Sequence, residues 1–451
     1  MLYRKVSRRL KEYFSSGSDR LLVIDGARQI GKSYIIREIG SAMFPNYIEL
    51  NMEEDRVGQR IFAEARTLDD FYLALGVVAG DKMKDRKSTL VFIDEIQAYG
   101  HLLTLVKFLM KDGRFTYIAS GSQLGISLKN TSSAPAGSLD IEHMYPMDFE
   151  EFLYANGVGE PVVQSMRSSF YERKALPEAL HDKMLDFFKK YLLVGGLPQA
   201  VDSYVKTKNI AEFRRVQSEV HSMYGIDASK YEAEHGKRLK IRRIFDMIPS
   251  SLENRKKRVV IKDIEGKTWK RSDDYTDEFE YLISSGIALE VKAISKPSYP
   301  LVENSGKNLM KLYLNDVGIL SGIYYRNNVR AVMSDVKSIN LGSVYETVVA
   351  QELRAHGYNL YYYDNKKNGE VDYLIDDCDT LSNIPLEVKS GKDYTIHSAL
   401  DKFMSIEEYN VQNAYVLSNE REVFVKNGIT YIPIYYVMFF ENAPVAEELL
   451  L

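Results

Sequence analysis

The sequence is short of the residues that would staple the chain or keep it unfolded. Its 451 residues include one cysteine, Cys378. A disulfide framework is therefore excluded, and a lone thiol fits a reducing compartment. The 28 glycines and 12 prolines are too few for a collagen-like or linker protein. An excess of one charge is also missing, because 59 lysines and arginines oppose 63 aspartates and glutamates, for a net −4. That balance excludes a uniformly basic nucleic-acid coat and leaves room for a local basic face. Long apolar runs are absent. The stretch from Tyr431 to Phe440 falls far short of the roughly 20 residues that cross a bilayer. The opening stretch MLYRKVSRRLKEYF is basic and amphipathic and lacks the apolar centre of a signal peptide. The expectation is a soluble, cytoplasmic protein with no membrane partner.

What remains is ordinary globular composition, 45% hydrophobic and 27% charged. The length suggests about three domains of roughly 150 residues each. A chain of this size can bury sizeable cores without staples.

The first third carries a phosphate-binding pattern. Leu21 to Asp25 (LLVID) reads as a strand, and Ile35, Ile36 and Ile39 recur at helical spacing after it. Between them lies the turn Gly26, Ala27, Arg28, Gln29, Ile30, Gly31, Lys32, Ser33, followed by Tyr34. This is G-x-x-x-x-G-K-S in its proper strand-turn-helix setting. The glycines let backbone N–H groups turn inward around phosphate oxygens, and the helix N-terminus favours negative charge. Lys32 would reach the β- and γ-phosphates of ATP, and Ser33 would hold Mg²⁺. A second apolar strand, Thr89 to Asp94 (TLVFID), ends in Asp94-Glu95. Carboxylates at the carboxyl end of a parallel strand face the ligand crevice. Asp94 would bind Mg²⁺, directly or through water. Glu95 would orient and deprotonate the attacking water. A third strand, Phe115 to Ala119, leads to Ser120-Gly121-Ser122. There Ser120 would hydrogen-bond the γ-phosphate or the water, or would simply make a turn. Tyr47 to Asn51 and Ile141 to Met144 read as further strands.

These residues resemble the AAA+ superfamily of ATPases, in its signal-transduction-like bacterial and archaeal branch. The resemblance rests on GARQIGKS, LVFIDEIQ, IASGS and MYPMDFEEF, and extends to YLLVGGLPQAV (Tyr191 to Val201). It implies a lid role for Gly196 and Pro198 in contacting nucleotide, against the simpler reading of Gly-Gly-x-Pro as a helix break. One departure stands out. Relatives carry a Gly-Arg pair where this chain has Gly137-Ser138. If that arginine neutralises the γ-phosphate, hydrolysis here is slow or another arginine substitutes, with Arg114 the candidate.

The middle is basic and helical. Phe187 to Leu193 and Phe213 to Tyr224 read as helices. Gly236 to Ile248 is a Lys- and Arg-rich helix with Ile241, Ile244, Phe245 and Ile248 on its buried face. Arg255-Lys256-Lys257-Arg258 precedes the strand-like VVIKDI, and Tyr281 to Ile294 reads as a helix leading into a strand. The pattern is compatible with a winged helix, which the same resemblance implies. Such a module offers DNA binding through phosphate contacts. Its basic residues would otherwise be a solvated face.

The last quarter holds a second constellation. Ser343 to His356 reads as an amphipathic helix, and YNLYYYD, GEVDYLID and IPLEVK read as strands. Alternation puts Glu387 and Lys389 on one face, which Asp372 on the neighbouring strand would share. Carboxylates converging there would bind Mg²⁺ or Mn²⁺ through oxygen, with Lys389 beside the attacking water and the scissile phosphate. The constellation resembles the PD-(D/E)XK nuclease superfamily. Asp372, Glu387 and Lys389 fill the core motif, and Glu346 matches the acidic residue of the first helix. The resemblance implies a nuclease-like fold that either cleaves DNA or only docks partners. Asp316, in KLYLNDVGIL, reads as a connector or a turn.

The expected architecture is α/β. It comprises a P-loop AAA+-type parallel sheet over 1–155, a helical lid over 156–232, a winged-helix-like domain over 233–330 and a nuclease-like α/β domain over 331–451.

Overall fold

The structure is a computed structural model describing residues 2–122, 124–125, 137–230, 235–254, 256–266, 272–304, 309–334, 341–391 and 393–442. Arg255 of the basic cluster and the expected boundary at 232–233 lie outside these residues. The chain divides into two compact units. One comprises Tyr3–Tyr145 with Ser284–Ile287, and the other Pro146–Ile283 with Ala288–Leu451.

The first unit is built on five strands: β1 (Leu21–Asp25), β2 (Asn46–Asn51), β3 (Thr89–Asp94), β4 (Thr116–Gly121) and β5 (Leu139–His143). Their order is β2-β3-β4-β1-β5, and every pair is parallel. The central strands β1 and β3 are buried at every position, as continuous apolar runs in a doubly covered sheet require. On one face, Val23, Val91, Ile93 and Ala119 share a core with Leu102, Leu103, Val106, Phe71 and Leu75. The helix Lys32–Met43 follows the phosphate loop. It approaches β3 so closely at Gly40 that a Cβ there would meet the Leu90 side chain at 2.6 Å. The strand order places β4 between β1 and β3. Their three carboxyl ends are therefore neighbours, as expected where an open α/β sheet binds ligand.

The second unit carries an eight-stranded mixed sheet in the order β12-β13-β11-β10-β9-β8-β6-β7. The strands are β6 (Ala288–Ile294), β7 (Met310–Leu314), β8 (Tyr361–Asn365), β9 (Gly369–Asp377), β10 (Ser382–Val388), β11 (Ala414–Ser418), β12 (Phe424–Lys426) and β13 (Ile429–Pro433). The hairpin β6–β7, expected to belong to a winged helix, joins this sheet. β6 runs parallel to β8, with Lys292 opposite Tyr361. An expected boundary at residue 330 thus cuts between hydrogen-bonded strands. VVIKDI is not a strand. Val259 and Val260 have no regular secondary structure, and Lys262–Glu265 form a helical turn.

The helix Gly342–Ala355 departs from its expected amphipathic form, since every residue from Ser343 to Leu353 is buried. Its polar side chains are inside because each has a partner. Gln351 Oε1 accepts from Val317 N (2.9 Å), and Gln351 Nε2 donates to Tyr191 Oη (2.7 Å). Glu352 Oε1 accepts from Phe149 N (2.9 Å) and from Tyr191 Oη (3.0 Å).

These bonds belong to a buried polar junction. Tyr191 Oη also donates to Met147 O (2.6 Å), and Met147 N to Gly196 O (2.7 Å). The Asp316 carboxylate accepts from Gly196 N (2.6 Å) and Ile319 N (3.0 Å), and so caps the helix Val317–Tyr325. The Arg214 guanidinium donates to Leu193 O and Gly318 O, both at 3.1 Å. There is no room for side chains at this crossing. A Cβ on Gly195 would stand 2.2 Å from Asp316 Oδ1, and one on Gly196 would stand 2.0 Å from Met147 O.

Burial pushes the Asp316 carboxyl up to about 6, against the backbone N–H groups that favour its ionised form. An unfolded aspartate titrates near ~3.9, so the folded chain holds this proton more tightly. Stability from this group is therefore fully present below about pH 4 and is lost as the pH rises to about 6. Asp316→Asn should flatten that part of the profile, worth on the order of 2–3 kcal/mol, in urea midpoints measured between pH 4 and 7.

Candidate nucleotide site and C-terminal carboxylate cluster

The phosphate loop leaves β1 after Asp25. Gly26 (φ 144°), Gln29 (φ 63°) and Gly31 (φ 92°) turn it through positive φ. Glycine is required at position 26, where a Cβ would lie 2.2 Å from Met144 O. Ala27 and Ile30 are buried and anchor the loop. Arg28, Gln29 and Ser33 are open to solvent to differing degrees, and Tyr34 is 51% exposed. Lys32 is buried and folds back on its own loop, donating to Gly26 O (2.9 Å) and Ala27 O (2.8 Å). Burial holds its ammonium below the ordinary lysine range, against the pull of Glu95, Asp25 and Asp94.

Ser33 Oγ donates to Asp94 Oδ1 (2.9 Å), and Ser120 Oγ donates to the same oxygen. The strand order explains this meeting, because Ser120 lies on the strand between the loop and Asp94. Burial raises the Asp94 carboxyl, opposed by Ser120, while neighbouring Glu95 adds to the rise. Ser33 and Asp94 together form an all-oxygen donor set that suits Mg²⁺. Glu95 sits at φ 52°, a left-handed conformation unusual for a side-chain-bearing residue. Its Oε2 accepts from Ser122 Oγ (2.8 Å) and from Gln97 Nε2.

Two contributors escaped the sequence reading. Gln97 was visible only as part of a motif with no role assigned. Arg4 is buried and donates to Ile30 O (2.8 Å) and Tyr145 O (2.6 Å), bracing the loop from outside it. No local pattern marks a side chain that acts on a carbonyl 26 residues away.

Arg114 is not the substitute arginine. It precedes β4, at the opposite end of the sheet from the loop, where it stacks 3.9 Å over Tyr72 and pairs with Asp112 (3.5 Å). Gly137-Ser138 lies at that same end, with Ser138 O accepting from Leu21 N (2.9 Å). A five-residue strand of roughly 17 Å separates an arginine placed there from its own loop. Of the expected lid residues, Gly196 is locked into the buried junction, and Pro198 is half-buried at the first position of the helix Pro198–Thr207.

In the second unit, the pairing of Leu386 with Tyr373 sets Asp372 across from Glu387. Lys389 Nζ donates to Glu387 Oε1 (2.9 Å), as alternation predicts. Asp372 Oδ2, however, accepts from Val388 N (2.8 Å). Burial first, then the charges of Glu387 and Glu346, push Asp372 well above the carboxylate range. Glu346 accepts from Lys257 Nζ on one oxygen and from Tyr313 Oη (2.9 Å) on the other. Burial opposes its ionisation, but Lys311 and Lys257 outweigh that and hold its pKa below the usual range. Among the described residues, no group of three or more His, Cys, Asp or Glu side chains is placed to hold a metal ion. Lys257 and Lys311 lie beside Glu346, and Lys389 beside Glu387.

Several residues of the basic middle region pair within their own unit. Lys237 pairs with Asp277 (2.9 Å), Arg242 with Asp246 (2.8 Å) and Arg258 with Asp364 (2.6 Å), while Arg243 donates to Ile264 O (3.2 Å). Among the described residues, no helix is long and apolar enough to cross a membrane.

Residues 18–153 match the family model described as an AAA domain. Residues 185–328 and 341–437 match two families, each described as a domain of unknown function (DUF8612 and DUF4143). No curated protein matches the chain. Similar solved structures include the Walker-type ATPase of Pyrococcus abyssi, at 14% identity over 72% of this chain and 96% of that one, with a TM-score of 0.43. The ORC2 protein of Aeropyrum pernix in ADPNP–ADP complexes is 11% identical, covering 74% of this chain and 93% of that one, with a TM-score of 0.37. DnaA of Aquifex aeolicus bound to AMPPCP is 10% identical, covering 63% and 88%, with a TM-score of 0.29. The five-stranded parallel sheet and its phosphate-loop turn lie within residues 18–153, the stretch that matches the AAA-domain model.

Proposed function

We propose that this chain is an ATP-driven switch whose second unit is a non-cleaving output. The observation that carries the first half is the meeting of Lys32, Ser33, Asp94, Glu95 and Ser120 at the adjacent carboxyl ends of β1, β4 and β3. When ATP enters, Lys32 exchanges the carbonyls of Gly26 and Ala27 for phosphate oxygens, which restores its charge pairing. Backbone N–H groups of the loop and the helix N-terminus surround the phosphates. Mg²⁺ held by Ser33 and Asp94 would neutralise charge between the β- and γ-phosphates. Glu95 holds the attacking water and takes its proton, and Gln97 and Ser122 fix its orientation. Gly196 and Pro198 belong to the lid that responds to nucleotide.

The non-cleaving half is favoured by a specific observation. Glu346 is engaged by Lys257 and Tyr313, and Arg258 and Lys311 engage Asp364 and Glu370. Of the residues that would serve a nuclease, Glu346 is held by Lys257 and Tyr313, and Lys389 is drawn to Glu387. The region 156–330 serves as lid and connector, with its positive charge turned to ion pairs, and a protein partner is the expected recipient of the signal in place of DNA.

Calorimetric titration with ATP should give at least ten-fold weaker binding for Lys32→Ala than for wild type. Equal affinities would remove the phosphate-loop assignment. Glu95→Gln should keep ATP affinity and lose turnover by about 10²-fold or more, so unimpaired hydrolysis would mean that Glu95 is not the base. Branched and linear DNA incubated with Mg²⁺ or Mn²⁺, with and without ATP, should stay intact. Cleavage by wild type that disappears in Asp372→Ala would overturn the non-cleaving half.

A further inference from the structure

Away from the carboxylate cluster, the second unit holds a cavity of about 360 Å³ between the helix Ser398–Met404 and the hairpin β12–β13. Its lining includes the buried His397, Ile429 and Tyr431 and the exposed Asp401, Ser405 and Lys426. His397 is only 5% exposed, and its ring is secured from one side. Nε2 lies 2.6 Å from Tyr431 Oη, whereas Nδ1 is buried and makes no hydrogen bond. The Asp401 carboxylate is near, with Oδ1 3.2 Å from Nδ1, yet it lies off the line that an N–H on that nitrogen would take. A buried ring nitrogen left in this way gives up its hydration without a replacement.

A metal ion satisfies both groups at the spacing they already have. Bonds of about 2.0–2.2 Å from metal to nitrogen and oxygen set two ligand atoms roughly 2.9 Å apart at a right angle and roughly 3.4 Å apart at the tetrahedral angle. The observed 3.2 Å falls between these limits. A bridging ion also sits to one side of the line joining its two ligands, which is the geometry that spoils a direct hydrogen bond. The pair is built locally. His397 and Asp401 are four residues apart, and Asp401 N donates to His397 O (3.0 Å), so both side chains leave one face of the first helical turn.

Tyr431 supplies a second requirement. A metal-bound imidazole donates its other N–H to a partner, which fixes the tautomer and aims the free nitrogen at the ion. Tyr431 Oη is placed to accept from Nε2–H, which leaves the lone pair on Nδ1, the nitrogen beside Asp401. The tyrosine ring is itself fixed by Phe424, stacked at 4.4 Å, and by Tyr394, edge-on at 6.1 Å.

We propose that His397 and Asp401 hold a divalent transition-metal ion of the zinc class, with Tyr431 orienting the imidazole. Imidazole suits such ions, whereas Mg²⁺ and Ca²⁺ prefer all-oxygen sites. The pair thus differs in kind from Ser33 and Asp94. Two protein ligands leave the remaining positions to water or a small anion, which the cavity admits and the exposed Lys426 attracts. The ion is consequently exchangeable. The inference concerns the second unit alone, so it stands or falls separately from the assignment of the phosphate loop.

The test is calorimetric titration of Zn²⁺ into the full-length, nucleotide-free chain, with excess Mg²⁺ present to occupy all-oxygen sites. Wild type should bind one equivalent saturably at submillimolar concentration, and His397→Gln should abolish that binding. Asp401→Asn, at an exposed position, should weaken it at least ten-fold. Asp401→His, which sets a second imidazole one turn along, should tighten it at least ten-fold. Tyr431→Phe keeps the ring packing and should weaken binding about ten-fold at unchanged stoichiometry, and equal affinity would remove Tyr431 from the site. Cu²⁺ electron-spin resonance should report one coordinated nitrogen in wild type and two in Asp401→His. Absence of saturable binding to wild type would overturn the inference, as would binding that survives in a folded His397→Gln. Should His397→Gln fail to fold by circular dichroism, position 401 decides: weaker binding with Asn and tighter binding with His support the site, and equal affinities refute it.

Discussion

A charge taken out of water has to meet another charge or a set of dipoles, and this requirement organises both units. In the first, the buried Lys32 turns to two loop carbonyls. In the second, Glu346, Glu370 and Asp364 draw Lys257, Lys311 and Arg258 inward, and Asp316 gathers backbone N–H groups at the crossing of the Gly-Gly-x-Pro turn. Leaving any of these groups unpartnered costs several kcal/mol. The segments that supply partners are therefore fixed relative to the segments that need them. Apolar packing fills the space between, but polar satisfaction decides which turn meets which helix.

The two kinds of pairing differ in how replaceable they are. Lys32 is held by two carbonyl dipoles of its own loop, and an opposite charge would bind it more strongly. Asp316 is held by amides of Gly196 and Ile319 at a place where a single added Cβ would collide with backbone or carboxylate. That arrangement admits no substitute and suits a joint. The Gly-Gly-x-Pro turn, the Asp-capped helix after it and the helix through Gln351 and Glu352 consequently form one rigid block within the second unit.

Legibility in the sequence followed the range of the interactions. The phosphate loop was readable because its strand, turn and helix are contiguous and its geometry is set by glycines within eight residues of one another. The acidic ends of β3 and the serines after β4 were readable for the same reason, and Glu387 and Lys389 because they are two residues apart on one strand. Arg4 acts on Ile30 O and Asp316 on Gly196 N, contacts between distant segments that nothing local marks. The basic run through Lys257 and Arg258 looked like a free face because its partners come later in the chain. The β-branched residues of VVIKDI suggested a strand, but only Val259 N bonds the edge strand β7, at Met310 O, before the chain turns into the helical turn Lys262–Glu265. The helix through Glu346 looked amphipathic because its polar residues were assumed to face solvent, whereas each has found a buried partner.

The continuity of the eight-stranded sheet has a consequence for inheritance. Strands β6 and β7 come from the stretch matched by one family and β8 to β13 from the stretch matched by another, yet β6 completes the edge of β8. The lysine and arginine partners of Glu346, Asp364 and Glu370 also come from the earlier stretch. A recombination event that carried only the later stretch would deliver a sheet with a raw edge and with Glu346, Asp364 and Glu370 stripped of these cations. The later stretch is therefore not a self-sufficient sheet, because β8 pairs with β6 across the boundary between the two matches.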